Sequence, residues 1–203
     1  PLVLVMAAGQ GTRMRSGLPK VLHPVCGREM VAWPIVAARE AGAGKVAAVV
    51  SPSLDLSAGL PDDVETVSQP EADGTGGAVR AALPLIEDAE TVLVLSGDHP
   101  LITAENIAGL LHAHEREGAA ATMLTIELDE PGSYGRVVRT HEGEVERVVE
   151  AKAEGDASAE QLAIREINAG TYVFQASPLV EALERLSNDN AQGEYYLPDV
   201  IPA

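Results

Sequence analysis

Four residues near the N-terminus combine types and spacing suited to holding an anion. They are Gly9, Gly11, Arg13 and Lys20, within "MAAGQGTRMRSGLPK" (residues 6–20). Glycines let a backbone approach a ligand closely and aim N–H groups at it, and the cations supply charge. The stretch also holds Gly17 and Arg15, has no acid, and follows directly on the apolar run "LVLV". It matches neither of the two best-known phosphate loops. No Gly-Lys-Ser/Thr closes it, and Met14 stands where the third glycine of the dinucleotide fingerprint would fall. An exposed loop with ordinary surface charges is the alternative. Glycines, cations and a strand-end position together favour anion binding, with Arg15 left as a surface charge.

Two further stretches carry usable groups. Asp98 closes "TVLVLSGD" (91–98). An acid there either shapes a turn or cap, or faces a ligand. One carboxylate plus substrate phosphates is a common way to hold Mg2+. "QPEADGTGGA" (69–78) offers Gln69, Gly74 and Thr75, an amide and bare backbone able to read a nucleobase edge. Taken alone, the same residues read as an Asp-Gly turn with a Thr cap before a helix. Other groups stay bland. His112 and His114 are two apart on an expected helix and share no face. His23 and His99 lack partners at ligand spacing, and no Gly-x-Ser-x-Gly elbow is present.

These loops need a frame. Short apolar runs at 2–6, 45–50, 64–69, 91–98 and 120–128 predict strands. Helical patterns at 29–44, 76–88 and 103–118 alternate with them, two with a proline inside and the third with a Thr103 cap and a Gly118 stop. Strands apolar on both faces, alternating with helices, predict a mostly parallel sheet flanked by helices, a Rossmann-like α/β class. Ligands then bind outside the carboxyl ends of the strands, where loops 7–20, 69–78 and 96–101 would meet. The second half changes style. A hairpin over 134–150 turns at Glu142–Gly143, residues 153–166 form a polar insert, and 167–175 is a strand. A helix at 177–186 follows, with Ser177 at its cap. The expectation is one domain over 1–203, with a β-rich excursion in its second half.

Composition narrows the partners. Net charge is −17 over 203 residues, which argues against a nucleic-acid or anionic-membrane partner. Residues 1–40 hold five basic side chains and two acids, while the remainder holds nine and twenty-nine. A local cationic site on an acidic body suits a small anionic ligand. The single cysteine, Cys26, excludes an internal disulfide and fits a reducing compartment, taken as the cytoplasm. No run reaches membrane-span length, and the first apolar run lacks the basic flank of a signal peptide.

"AAGQGTRMRSGLPK" resembles the signature loop of the sugar-phosphate nucleotidyltransferases. "QPEADGTGGAV", "LVLSGDHPLI", "YGRVVR", "VVEAK", "EINAGTYVF" and "NDNAQGEYYLPDVI" follow in order through nearly all of the chain. Together they resemble the N-acetylglucosamine-1-phosphate uridyltransferases within that family. In bacteria this is usually the N-terminal domain of a bifunctional enzyme making UDP-N-acetylglucosamine, a precursor of peptidoglycan and lipopolysaccharide.

The resemblance implies Mg2+-dependent transfer between UTP and N-acetylglucosamine 1-phosphate, giving UDP-N-acetylglucosamine and pyrophosphate. It implies that Met6, Ala7, Ala8, Gly9 and Gly11 hold the nucleotide. Arg13 and Lys20 would bind the phosphates and stabilise charge. Gln69, Gly74 and Thr75 would read the uracil, Ser96 and Gly97 line the pocket, and Asp98 bind Mg2+. Gly135, Glu150 and Asn168 would contact the sugar, which makes 1–130 the nucleotide part and 131–203 the sugar part. Ser96 departs from the aromatic expected at that position in many relatives. The family's second metal ligand, an asparagine, falls past Ala203. The chain therefore reads as truncated, and the acetyltransferase half through which a full-length form would trimerise is absent. Two other readings stay open: a nucleotidyltransferase for another sugar 1-phosphate, and a non-catalytic nucleotide-binding fragment.

Overall fold

The computed structural model describes residues 1–9, 11, 14–151, 156–190 and 192–201. Its first half is a run of parallel strands: β1 (Leu2–Met6), β4 (Lys45–Val50), β5 (Glu65–Ser68) and β6 (Thr91–Ser96). Between β1 and β4 lie a short hairpin, β2 (Pro24–Val25) and β3 (Arg28–Glu29), and helix α1 (Ala32–Glu40). Helices α2 (Thr75–Ala81) and α3 (Leu83–Ile86) connect β5 to β6, and α4 (Ala104–Glu117) follows β6. The second half adds β7 (Ala121–Glu127), β8 (Arg136–Arg139), β9 (Val145–Val149), α5 (Ala159–Leu162), β10 (Glu166–Gln175) and α6 (Ala176–Arg185).

One sheet joins both halves in the order β5-β4-β1-β6-β10-β8-β9, with β7 paired to β10. β5, β4, β1 and β6 pair in parallel. From β10 onward the pairing is antiparallel. The result is the expected α/β class, with a parallel central sheet between helices and a β-rich excursion.

Strand periodicity builds the two core layers. Successive side chains of a strand point to opposite faces. Leu2, Leu4, Ala47, Val49, Val92 and Val94 pack with Ala78, Val79, Ile86, Leu179 and Leu183, beneath α2, α3 and α6. Val3, Val5, Val46, Ala48, Leu93 and Leu95 pack with Val31, Ile35, Ala38, Ile107 and Leu110, beneath α1 and α4. Each such buried Val, Leu or Ile contributes roughly 1.5–3 kcal/mol relative to exposure. With so few aromatics, aliphatics fill both layers; one stacked pair, Tyr172 and Phe174 at 5.8 Å between ring centroids, lies in the first.

Some boundaries differ from expectation. Residues 29–31 and 41–44, expected in a helix, are not helical. Arg28 and Glu29 form β3, turned through Cys26 and Gly27 at φ 51° and 80°. The helix starts at Ala32, so Pro34 sits in its first turn, where its missing N–H costs nothing. The single helix expected over 76–88 is two, broken at Ala82, because Pro84 can only begin a new first turn. Gln175, not Ser177, flanks α6 at its start. The capped ends of α4 are as expected: Thr103 closes a capping box with Asn106, and Gly118 is left-handed at φ 59°. The hairpin turn at Gly143 is observed, at φ 91°. No described helix is long and apolar enough to cross a membrane.

Candidate functional site

Parallel pairing puts the ends of β1, β5 and β6 on one edge of the sheet. The ladder continues one residue past each strand and fixes where each loop departs. Ala7 N donates to Val49 O at 2.8 Å, Gln69 N to Val50 O at 2.8 Å, and Gly97 N to Met6 O at 2.9 Å. A side chain on Gly97 would bring its Cβ to 2.9 Å from Met6 O, so that strand end tolerates only glycine without a shift. The three loops enclose a cavity of about 370 Å3. Of the residues singled out in the sequence, Met6, Ala8, Gly9, Gly11, Lys20, Gln69, Gly74, Thr75, Ser96 and Asp98 all line it. Ala7 is buried behind it in the core. Arg13 falls outside the described residues. Arg15 is exposed, as a surface charge should be.

Each polar group is held by a local cause. Lys20 opens a 3-10 turn, Lys20–Leu22, anchored by burial of Val21 and Leu22 and by Val31 N donating to Val21 O at 2.9 Å. Gly11 is left-handed at φ 61° and packs directly on the Lys20 stem, where any Cβ would overlap it. The Lys20 ammonium reaches Asp98 Oδ2 at 2.5 Å. The other carboxylate oxygen accepts from Ser96 Oγ at 2.5 Å, and His99 Nε2 lies 3.6 Å away. Burial penalises the Asp98 charge. Hydrogen bonds from Lys20 and Ser96, and the Lys20 and His99 charges, outweigh that penalty and hold its pKa below the ordinary carboxylate value. Serine at position 96, where the family resemblance leads one to expect an aromatic, thus braces the acid two residues on.

Residues 194–197 dock against the second loop. Gly76 N donates to Tyr195 O and Tyr195 N to Asp73 O, both at 2.7 Å. Leu197 N donates to Thr75 Oγ1 at 3.0 Å. Gly74 has φ 101°, and a Cβ there would meet Tyr195 O at 2.5 Å. Arg80 stacks over the Tyr195 ring at 4.2 Å. This docking brings Glu194 to the cavity wall, which Val21, Ala72 and Ala78 also line. Sequence reasoning names none of these four as site residues. A signal exists for three of them, since Glu194 lies within the motif "NDNAQGEYYLPDVI" and Ala72 and Ala78 within "QPEADGTGGAV"; for Val21 there is none.

The second-half candidates also meet. Asn168 N donates to Gly135 O at 2.9 Å. The pairing of β10 with β7 slips between Asn168 and Tyr172. Within that bulge Gly170 turns left-handed at φ 70°, with Asn168 Oδ1 accepting from its N–H at 2.9 Å. Asn168 Nδ2 donates to the Tyr172 hydroxyl at 2.6 Å. Glu150 is close enough to raise the Tyr172, Tyr196 and Asp199 pKa values; in each case burial is the larger cause. The buried Arg136 guanidinium donates to Gly132 O and Tyr134 O and so holds the loop carrying Gly135. The bulge lies beside Asp98: a Cβ on Gly170 would come to 3.4 Å from the His99 ring, and Ala169 and Thr171 line a neighbouring hollow together with Asp98 and His99.

A larger hollow, about 680 Å3, lies along β7 and α6 and is lined by Ala121, Met123, Phe174, Leu179 and Ala182. It gathers none of the residues named above as site candidates. The smaller cavity carries the converging charges and amides.

An α/β sheet with a glycine-rich cationic loop, an amide loop and a carboxylate at its parallel strand ends defines a nucleotidyltransferase-type protein. The chain belongs to the MobA-like NTP transferase domain family, whose model matches residues 3–197. It is 48% identical over 200 residues to the "Bifunctional protein GlmU" of Shouchella clausii, and 48% identical over 200 residues to that of Bacillus mycoides. In both cases 98% of this chain matches 43% of the relative, so the chain spans less than half the length of these curated relatives. In fold it is similar to UDP-glucose pyrophosphorylase, solved in complex with UDP-glucose. The TM-score is 0.76 at 17% identity, over 99% of this chain and 85% of that one.

Proposed function

We propose that the chain is a uridyltransferase domain joining UTP and N-acetylglucosamine 1-phosphate into UDP-N-acetylglucosamine and pyrophosphate. The observation that carries this reading is the convergence of Lys20, Asp98, Gln69, Gly74 and Thr75 on one cavity at the strand ends. The 48% identity to bifunctional GlmU proteins supports the choice of substrates. Within the single domain, residues 1–130 form the nucleotide part and 131–203 the sugar part.

The chemistry needs no general base, since the attacking oxygen of the sugar phosphate is already anionic. That oxygen bonds to the α-phosphorus of UTP as the bond to pyrophosphate breaks. The protein's task is to bring two anions together and stabilise the charge that develops. Lys20 and Arg13 supply positive charge, and the Gly9 and Gly11 backbone lets phosphates approach. Gln69, Gly74 and Thr75 face the uracil, and Met6, Ala7, Ala8, Ser96 and Gly97 form the nucleotide bed. Gly135, Glu150 and Asn168 face the sugar.

Mg2+ fits the donor set. Asp98 presents a hard oxygen ligand at the cavity, and no group of three or more His, Cys, Asp or Glu that could hold a metal exists among the described residues. Phosphate oxygens and water would complete the shell, as Mg2+ commonly allows. The bound ion would neutralise phosphate charge during transfer. The Lys20 ammonium pairs with Asp98 in this structure; were Asp98 to hold the ion, Lys20 would be released to serve phosphate.

A cytoplasmic setting belongs to this same proposal. So does trimer formation of a longer parent chain through a further domain, with relatives more than twice this length as its support. A pyrophosphate-release assay with UTP, N-acetylglucosamine 1-phosphate and Mg2+ tests the reading. Mg2+-dependent turnover with this pair is expected. Turnover only with another sugar 1-phosphate or nucleotide overturns the substrate assignment, and nucleotide binding without turnover overturns the enzymatic one.

A further inference from the structure

Gln69 is 6% exposed, so its amide must satisfy its hydrogen bonds internally or through a ligand. Its Nε2 donates to Asp73 Oδ1 at 2.8 Å and to Gly74 O at 3.1 Å. A carboxylate and a carbonyl only accept, so both amide hydrogens turn toward them. The reversed amide would set Oε1 against two acceptors. Oε1 is therefore the atom left for the cavity that Gln69 lines. Gly77 makes this possible: the Asp73 carboxylate occupies the space that any Cβ at position 77 would need.

We infer that Asp73 is a positioning residue that sets base selectivity by holding Gln69 with its acceptor face toward the base. Such a face matches uracil, whose N3–H donates, and opposes cytosine, whose N3 accepts. The inference rests on the base-reading role proposed for Gln69. A site built to pair with a donor discriminates strongly against a ligand lacking it, because a buried polar group is left unpaired. Asp73 touches no substrate and works through Gln69.

The test measures UTP and CTP dissociation constants by calorimetry, and kcat/KM for each, in wild type, Asp73→Asn, Gly77→Ala and Gln69→Ala. In Asp73→Asn the new side-chain amide offers the Gln69 oxygen a donor, so the Gln69 amide can reverse. UTP and CTP carry the same phosphates, so their ratio is insensitive to the lost charge or to general loosening of the loop. Asp73→Asn and Gly77→Ala should each lower the UTP:CTP preference about tenfold or more, chiefly by strengthening CTP binding. A preference unchanged by both, with Gln69→Ala abolishing it, overturns the role of Asp73 and leaves that of Gln69 standing. A preference unchanged in Gln69→Ala overturns the base-reading role itself, and this inference with it.

Discussion

The parallel and antiparallel regions of the sheet build their candidate sites by different means. At the parallel edge, three loops leave neighbouring strands at the same end, so distant residues such as Lys20, Gln69 and Asp98 converge on one cavity. In the antiparallel region successive strands run in opposite directions, and convergence needs a local device. The β10 bulge supplies it, with Asn168 accepting from the Gly170 N–H and donating to Gly135 O and to the Tyr172 hydroxyl. The Lys20–Asp98 ion pair and glycine backbone line the first region's cavity, whereas the side-chain hydrogen bonds of Asn168 organise the second. That division suits phosphates on one side and a sugar on the other.

The division is most directly broken at Lys20. Lys20→Ala should lower kcat in the pyrophosphate-release assay by roughly 10²–10³, the loss seen when a charge-stabilising donor is removed. Turnover within a few fold of wild type would remove the phosphate role from the parallel edge. Gly74→Val forces a branched side chain into φ 101° and a Cβ to 2.5 Å from Tyr195 O. We expect about 3 kcal/mol of lost stability by denaturant titration, with undocking of residues 194–197. An unchanged midpoint would mean that this docking contributes nothing.

Asn168→Ala should sharpen the comparison from the other side. The KM for sugar phosphate should rise about tenfold while that for UTP holds, since one buried hydrogen-bonding group is worth about 1–2 kcal/mol. Equal rises in both KM values would erase the division.

The smallest effect concerns the brace between β8 and β10. Arg139 donates Nε and Nη2 to the two oxygens of Glu166, at 2.7 and 2.6 Å. The hydrogen bond from Arg139 chiefly holds the Glu166 pKa below its ordinary value of 4.5. A depressed folded-state pKa gives stability that is present above pH 4.5 and lost as pH falls through the folded value. Arg139 is half-exposed, so after discounting for solvent screening the pair is worth only about 1 kcal/mol. Glu166→Gln should lose about that much at pH 7 and should flatten the fall in thermal midpoint between about pH 5 and pH 3. An unchanged acid slope would remove the pair from the account.

Much of this is legible in the sequence because it is local. The "LVLVM" strand, the Thr103 cap with its Gly118 stop, and the hairpin turning at Gly143 follow from side-chain period and turn chemistry. The loops at 7–20, 69–78 and 96–101 stand out by composition, and most of their named residues line the cavity. The β2–β3 hairpin escapes sequence reasoning because Glu29 fits a helical start as well as a strand, and the turn at Cys26–Gly27 decides it. Glu194 escapes it as a site residue because only docking onto the 73–76 loop brings it to the wall.

By itself the sequence determined the α/β alternation, the cationic glycine loop on an acidic chain, and the family to which those motifs belong. The first two depend on residue type and spacing, which local physics reads directly; the family rests on the resemblance of the ordered motifs. Only the tertiary structure decided that Ser96 and Lys20 grip opposite oxygens of Asp98, that a β-bulge carries Asn168 to Gly135 and Tyr172, and that Asp73 turns the Gln69 amide. Each is a contact whose partners and orientation are set by strand register and packing, and those belong to the whole fold.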